Sequence, residues 1–379
     1  MHNIAVAGRV PGASLGDSNP HASMNRRDFL KPLGAAVAAT ASSNVSLGQG
    51  DRAKATDTPH AEKLPATPFD APDGTWTLAV FPDTQNLTRS APEVLTRQCE
   101  WVASHRRSHD IRFVMQLGDI TDTNSVAEWE NAKTAFRVLR DAGIPYSLLP
   151  GNHDLGNGGS AQDRSTLMNE YFTPADYAHS ETHSLFEAGR MENSFHELTT
   201  PWGKHLILAL EFGPRDAVLA WASEAAAQHP DHQVIVSSHA HLFYDSTRYD
   251  WAKHGKAQTW NPKDYVLARD AATTGGVNDG EDVWRKLLAP NKNIRFMFNG
   301  HVLGSGTGYR VDDGTHGQRV HQMLANYQAG VDPRRPFQGG GFFRLLQFLP
   351  DRKTVRVRTY SPWLDQWLTE PNQQFEMAL

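Results

Sequence analysis

Residues 113–122, FVMQLGDITD, and residues 146–154, YSLLPGNHD, decide the fold of this chain. In both segments a short apolar run is followed by glycine and then by side chains that can ligate a metal. Short apolar runs bounded by glycine or proline are typical of buried strands. Each segment therefore predicts a strand that ends in a polar loop.

The pattern continues on both sides of these segments. Further strands are expected at residues 76–81, 206–211, 233–238 and 294–299, and helices at 93–105, 126–142, 217–228 and 282–288. This alternation predicts an α/β fold. Strands at 320–326, 342–349 and 354–360, the last two as a hairpin, favour a mixed sheet or a second sheet packed on the first.

Metal-capable side chains follow five of the predicted strands. They are Asp83, Asp119, Asn152 with His153, His239 and His301. Sites in open α/β sheets lie outside the carboxyl ends of the strands, so we expect these five loops to converge. Glycines beside them, such as Gly118, let the chain turn sharply there.

The amino-acid composition limits which partners and which metal ligands are possible. The 379 residues include 37 Lys and Arg against 42 Asp and Glu, a net charge of −5, which disfavours a stable nucleic-acid partner. The single cysteine, Cys99, excludes an intramolecular disulfide and a zinc site built on several thiolates. Any metal must therefore be held by carboxylate, amide and imidazole groups.

The N-terminal segment predicts export. Residues 25–31, NRRDFLK, match a twin-arginine signal, and the apolar run at 29–39 is too short to span a bilayer. We expect a signal peptide at 1–41, recognised by the Tat translocase, and a linker at 42–74. One domain at 75–379 follows, with no transmembrane segment and a long insertion at about 242–280. The protein would then be periplasmic or secreted; the alternative is a chance basic pair before a disordered tail.

The motifs together resemble the calcineurin-like metallophosphoesterase family. The resemblance rests on Asp83, the GDxxD pattern at 118–122, GNHD at 151–154, His239 and Gly300-His301, and covers about residues 75–365. It implies a four-layer αββα sandwich of two mixed sheets with one or two divalent metal ions, most plausibly Mn, Fe or Zn. It also implies hydrolysis of a small or polymeric phosphate monoester or diester by a metal-activated water.

The resemblance also implies a role for each matched residue. Asp119 would bridge two metals, with Asn152, His239 and His301 completing one site and Asp83 and Gln85 serving the other. His153 would contact the phosphate and assist the leaving oxygen, and Asp122 would orient its imidazole. An Asp suits the bridge because it is a small anion with two usable oxygens, and the neutral ligands leave net positive charge for a phosphate.

Two positions depart from the family pattern. Gln85 stands where the first motif normally has histidine, and it is either a weaker oxygen ligand or only a polar residue of the loop. Leu303, which cannot ligate a metal, stands where the last motif has its second histidine. Both changes fall on the Asp83 site, which is then short of ligands. Water, His241 or an oxygen from the insertion is expected to fill the gap, and we interpret Pro82-Asp83-Thr84-Gln85 as the mark of a variant subgroup.

Three further residues are assigned to the substrate side. The arginine that often follows the second motif is absent, so Arg164 or Arg310 is the expected phosphate clamp, and His241 is expected near the substrate or behind the metal ligands. Asp154 is expected to orient neighbouring loops, and Asp122 has the alternative role of capping the helix near residue 126.

Two rival functions stay open on the sequence alone. Gln85 and Leu303 are compatible with a catalytically weak metal-binding protein of the same fold. A hydrolase of other esters or of a cell-wall component is the second rival, although the sequence has no GxSxG motif to support it.

Overall fold

A computed structural model describes residues 71–379. The expected signal peptide and residues 42–70 of the expected linker lie outside the described residues. Within the described part, every helix is too short or too polar to cross a bilayer.

Two seven-stranded sheets form the centre of the fold. The strands in chain order are β1 (Trp76–Phe81), β2 (Ile111–Gln116), β3 (Tyr146–Ser147), β4 (Thr182–Leu185), β5 (Ser194–Thr200), β6 (Gly203–Leu210), β7 (Gln233–Ser238), β8 (Ile294–Asn299), β9 (Thr307–Asp313), β10 (Arg319–Ala325), β11 (Phe343–Phe348), β12 (Thr354–Ser361), β13 (Gln366–Leu368) and β14 (Phe375–Ala378). The first sheet has the order β13-β12-β11-β1-β2-β3 with β14 on β12, and the second has the order β4-β5-β6-β7-β8-β10-β9.

Helices lie on the outer faces of the two sheets and in the connecting loops. They are α1 (Gln85–Ser90), α2 (Pro92–His105), α3 (Val126–Asp141), α4 (Met168–Tyr171), α5 (Asp216–Gln228), α6 (Trp251–His254), α7 (Ala271–Thr274), α8 (Gly280–Val283) and α9 (Pro336–Gly339). A π-helical turn, Trp284–Leu288, continues α8. Residues 242–280 contain only single-turn helical segments, so the expected insertion is irregular, as its polar and glycine-rich sequence indicates.

Three apolar clusters hold the layers together. Val94 and Phe136 of the first helices pack with Phe81 of β1 on one outer face. Leu78 and Ile235 belong to the cluster between the sheets, and the second sheet packs against α5 through a third cluster. Each central strand is therefore buried on both faces, which explains its nearly continuous apolar sequence. The expected four-layer αββα fold is confirmed.

The direction of the strands brings their carboxyl ends together. Strands β1, β2 and β3 are parallel in the first sheet, and β6, β7, β8 and β10 are parallel in the second. Main-chain bonds join the two sets at this edge: the Phe212 amide donates to the Pro150 carbonyl at 3.0 Å. The loops after both sets of strands therefore meet.

Several strands and helices were not predicted correctly from the sequence. Strands β4 and β5 have polar, half-buried faces, and α1, QNLTRS, has too few apolar residues to show helical periodicity. The expected strand at 146–149 is only two residues long in the structure, and the expected helix at 282–288 is mostly a π-helical turn. Short elements of this kind depend on their neighbours for stability, so local sequence predicts them poorly.

Candidate metal centre

Asp119, His239 and His301 form the centre of the site. Each offers one ligand atom, the three atoms lie within 4.8 Å of one another, and all three residues are buried. His239 Nε2 is 3.1 Å from Asp119 Oδ1 and 3.1 Å from His301 Nδ1. These residues follow β2, β7 and β8, so the two sheets contribute jointly to the cluster.

Main-chain carbonyls orient both imidazoles. His239 donates from Nδ1 to the Leu117 carbonyl at 2.7 Å, and His301 donates from Nε2 to the Trp260 carbonyl at 2.8 Å. These bonds leave His239 Nε2 and His301 Nδ1 as the nitrogens that face Asp119. Metal-ligating histidines almost always donate their other N–H in this way. The second carbonyl comes from the insertion, so that segment supports the site.

An unpaired amide oxygen supports the same assignment. Asn152 is buried, and its Oδ1 has no hydrogen-bond partner among residues 71–379. Its neighbours hold it beside Asp119: the His153 amide donates to Asp119 Oδ1 at 3.0 Å. An unsatisfied buried acceptor costs about 1–3 kcal/mol, and a cation would relieve this cost. The residues present therefore fit a divalent metal ion.

The electrostatics of the cluster favour a cation. Burial lowers the pKa of His239, but the charge of Asp119 and their hydrogen bond outweigh it and raise the pKa to about 9. Burial would raise the pKa of Asp119, yet the charges of His239 and His153 hold it below its usual value. Burial and the neighbouring His239 lower the pKa of His301 to about 3. The Asp119 carboxylate therefore stabilises a positive charge at His239, which is that of the protonated imidazole. A bound cation would take the place of that proton.

Glycines make the close approach of these loops possible. A Cβ at Gly151 would lie 2.1 Å from Asp119 Oδ1, and one at Gly300 would lie 2.1 Å from Asp83 Oδ1. Gly118 has a φ of +91°, as expected for a sharp turn. Asp119 and His301 themselves have φ values of 51° and 76°. Such backbone strain in non-glycine residues occurs often at functional sites.

His153 lies at the rim of the cluster. Its Nδ1 donates to the main-chain carbonyl of Asp122 at 2.8 Å, and the Asp122 carboxylate is 3.7 Å away. The carboxylate forms an ion pair with Arg89, which belongs to α1. Asp122 therefore orients His153 mainly through its backbone, and this differs from the side-chain role that the sequence suggested.

Asp83 and Gln85 lie beside Asp119 in a second group of polar side chains. The Gln85 Nε2 donates to Asp119 Oδ2 at 3.0 Å, and Asp83 accepts from the His301 amide at 2.9 Å. The loop after β10 also reaches this group: Asn326 and Gln328 both donate to Asp83 Oδ2 at 3.0 Å. Burial raises the pKa of Asp83 to about 7 despite the opposing charge of His239.

Asp154 ties the second and third loops together. Its carboxylate is completely buried and accepts from the amides of Gly151, Ile120 and Thr121 at 2.8, 2.9 and 2.7 Å. It also accepts from the Thr121 hydroxyl at 2.7 Å. The expected role of Asp154 in orienting neighbouring loops agrees with these contacts. The N-cap of α3 is Ser125 and not Asp122, whose main-chain amide donates to Glu128 in the first turn of α3 at 3.2 Å.

Three expected substrate residues have structural contacts elsewhere. His241 is fully buried, and its Nε2 is 2.9 Å from Gln322 Oε1, so its ring lies in the interior and not on the exposed rim of the site. Arg310 forms two bonds with Asp312. Arg164 donates to four main-chain carbonyls, those of Phe212, Gly213, Thr274 and Gly276. These contacts correct the expectation that His241 lies on the substrate side and that Arg164 or Arg310 clamps a phosphate.

Three residues near the site were not predicted from the sequence. Arg89 is 38% exposed in its side chain and lies next to Asp122, whereas Asn326 and Gln328 contact Asp83. Asn326 follows β10 directly, which is the same strand-end signal that identified the other loops. That signal was available in the sequence, but Arg89 has no comparable local pattern.

One curated protein is similar in sequence to most of this chain. The uncharacterized protein YvnB of Bacillus subtilis (strain 168) is 28% identical over 294 residues, which are 76% of this chain. The chain spans only 20% of the length of that relative.

Solved structures show a more distant likeness. A purple acid phosphatase from yellow lupin (Lupinus luteus) seeds has 13% identity and a TM-score of 0.44, over 80% of this chain and 54% of its own. A dimetal phosphatase from Danio rerio has 12% identity and a TM-score of 0.42, over 80% of this chain and 98% of its own.

A family model gives the assignment. Residues 77–305 match the model of the calcineurin-like phosphoesterases. This match extends over more than half of the chain and includes Asp83, Asp119, Asn152, His239 and His301. The chain therefore belongs to the calcineurin-like phosphoesterase family.

Proposed function

We propose that this protein hydrolyses phosphate monoesters or diesters with a divalent metal centre and no covalent enzyme intermediate. The observation that carries the proposal is the convergence of Asp119, His239 and His301 within 4.8 Å, with their ligand atoms facing each other. Bound divalent cations would supply Lewis-acid activation of water and neutralise the phosphoryl oxygens. The protein residues bind and orient these components and supply a proton.

The donor set suits an anionic substrate. Asn152, His239 and His301 are neutral ligands, and Asp119 is an anion whose two oxygens face different neighbours, His239 and Gln85. A divalent ion in this set keeps a net positive charge. The centre would therefore attract a phosphoryl group and hold it at the edge of the two sheets.

His153 is the residue that we propose as the general acid. Its Nδ1 is engaged by the Asp122 carbonyl, so Nε2 is the nitrogen that can donate a proton to the leaving oxygen. The side chain is 37% exposed, which leaves it accessible to a substrate. Burial lowers the pKa of His153, but the charge of Asp119 and the bond to Asp122 raise it above its ordinary value overall. An imidazole can hold and donate a proton near neutral pH, as a general acid requires.

Arg89 supplies the cation that we propose for binding phosphate at the rim. Its guanidinium pairs with the Asp122 carboxylate and is partly exposed, so it can still donate to a substrate oxygen. Arginine is well suited to this role because its planar fork matches a phosphate. It replaces Arg164 and Arg310, whose donors are bound within the protein.

Elemental analysis combined with an activity panel tests the function. Purified protein with Mn, Fe or Zn restored should hydrolyse at least one generic phosphomonoester or phosphodiester. A protein that holds metal tightly but hydrolyses no ester with any of these ions would contradict the proposal and favour the metal-binding alternative.

The ligand assignment has its own variant. The Asn152→Ala substitution should weaken metal binding by about tenfold or more, because it removes a ligand oxygen. Asn157→Ala is the matched control, since Asn157 lies five residues later in the same loop region and is exposed. Equal metal content in Asn152→Ala and wild-type protein would remove Asn152 from the ligand set.

We also propose export by the twin-arginine route, on the basis of Arg26 and Arg27 in NRRDFLK. The expected result is full-length precursor in the cytoplasm and shortened protein outside it when cells are fractionated. The double substitution Arg26→Lys and Arg27→Lys should retain the protein in the cytoplasm. Unchanged export of this variant would contradict the proposal.

A further inference from the structure

The group around Asp83 has a different ligand chemistry from the group around His239. Gln85 Nε2 is 3.0 Å from Asp119 Oδ2 and 2.7 Å from Gln328 Oε1, and Gln328 Nε2 is 3.0 Å from Asp83 Oδ2. Two carboxylates and the side-chain amides of two glutamines therefore meet in one cluster, with the amide of Asn326 also on Asp83 Oδ2. All of the oxygens in it are hard donors.

The Gln85 side chain indicates where a cation belongs. Gln85 is 1% exposed, and its Oε1 has no hydrogen-bond partner among residues 71–379. Its amide nitrogen meanwhile lies between two oxygen acceptors, those of Asp119 and Gln328. Rotation of the amide by half a turn would place Oε1 among the other oxygens. Only a positive charge makes that arrangement favourable, and it would also give the unpaired oxygen a partner.

The loop that carries Gln328 lies against Leu303, the residue at the position where the last family motif has its second histidine. A Cβ at Gly330 would be 3.5 Å from Leu303 Cδ1, so Leu303 packs closely against this loop. The main-chain amide of Asn326 further anchors the loop by donating to the Gly306 carbonyl at 2.7 Å. The apolar side chain of Leu303 thus supports the segment that brings Gln328 to Asp83.

We propose that Gln328 is a metal ligand that compensates for Leu303, and that Asp83, Gln85, Asp119 and Gln328 form an all-oxygen site for a hard divalent cation. This inference deepens the proposed function and rests on it. Mg²⁺ and Mn²⁺ are the ions that carboxylate and carbonyl oxygens suit best. The neighbouring site has two imidazoles and suits Zn²⁺ or Fe²⁺. The protein then holds two unlike ions that share Asp119.

A sequential metal titration tests the inference. Metal-free full-length protein is first loaded with one equivalent of Zn²⁺ and then titrated with Mn²⁺. Calorimetry measures the binding of Mn²⁺, and the electron paramagnetic resonance signal of free Mn²⁺ measures how much of the ion stays unbound. Wild-type protein should bind one Mn²⁺ per chain. Gln328→Leu should bind it at least about tenfold more weakly, because it lacks one ligand oxygen. Zn²⁺ binding should be the same in both proteins.

Two further variants complete the design. Gln328→Glu retains an oxygen and adds negative charge, so it should bind Mn²⁺ at least as tightly as the wild type. Gln98→Leu is the matched control: Gln98 is a buried glutamine that lines the same small cavity as Asp83 and Gln328, but it donates to the Gly341 carbonyl. It should keep the wild-type affinity for Mn²⁺.

The outcomes separate this inference from the proposed function. Wild-type affinity for Mn²⁺ in Gln328→Leu, or a wild-type protein that takes up Zn²⁺ but no Mn²⁺, would overturn the inference. Circular dichroism establishes that each variant is folded. If Gln328→Leu does not fold, Gln328→Asn replaces it in the comparison, because its shorter side chain withdraws the oxygen by one methylene. Absence of ester hydrolysis by protein that holds both ions would instead contradict the proposed function, with the ligand assignment intact.

Discussion

The His153→Ala variant is expected to hydrolyse phosphate esters about 10²- to 10⁴-fold more slowly than the wild type, the usual range for loss of a general acid. The loss should appear in kcat, because the imidazole supplies its proton as the leaving oxygen departs. Metal content should stay the same, since the His153 side chain bonds to the Asp122 carbonyl and not to the cluster of Asp119, His239 and His301.

The Asp122→Ala variant is the informative comparison. The carbonyl that orients His153 belongs to the main chain and remains after this substitution, so kcat should fall by less than in His153→Ala. Arg89 loses its carboxylate partner, so the change is expected mainly in KM. Kinetics of both variants on one substrate measure this difference. Equal activity of His153→Ala and wild-type protein would exclude His153 from the mechanism.

Among the single substitutions described here, Asp154→Ala should lower the free energy of unfolding the most. The substitution removes the acceptor for three amides and one hydroxyl, all in contact with a fully buried carboxylate. Each unsatisfied buried donor costs about 1–3 kcal/mol, so the free energy of unfolding should fall by about 3 kcal/mol or more even where water enters the cavity. Urea unfolding followed by circular dichroism measures this difference.

Thr121→Val is the control for this prediction. It removes only the hydroxyl bond to Asp154 and keeps the volume of the side chain, so about 1 kcal/mol should be lost. Because Asp154 links the loop of Asp119 to the loop of Asn152, Asp154→Ala should also weaken metal binding. A loss of stability no greater than that of Thr121→Val would show that the other three hydrogen bonds of Asp154 contribute little.

Much of the site was predictable because strand ends carry a simple signal. An apolar strand followed by glycine and a polar side chain identified Asp119, Asn152 and His301, and the rule for parallel strands predicted that their loops would meet. The structure brings Asp119 and His301 together with His239. The same rule applied to β10 would have included Asn326, but the predicted strand at 320–326 was extended over that residue.

The exposure of individual side chains was not predictable in the same way. His241 and Arg164 have the residue types of a substrate site, yet His241 is fully buried with its Nε2 at Gln322, and the guanidinium of the partly buried Arg164 donates to main-chain carbonyls. Arg89, in a short helix without apolar periodicity, lies next to Asp122. Burial depends on the packing of distant segments, so no local pattern distinguishes these three residues.

The sequence by itself determined the α/β alternation, the order of the ligand-bearing loops and the residue types available to a metal, because strand periodicity and strand-end glycines are local properties. Only the tertiary structure decided which polar side chains complete the site. Gln328 meets Asp83 across 245 positions of the chain, and the insertion reaches His301 through the carbonyl of Trp260. Contacts between such distant residues arise when the two sheets pack face to face, and that packing brings the amide of Gln328 to the carboxylate of Asp83.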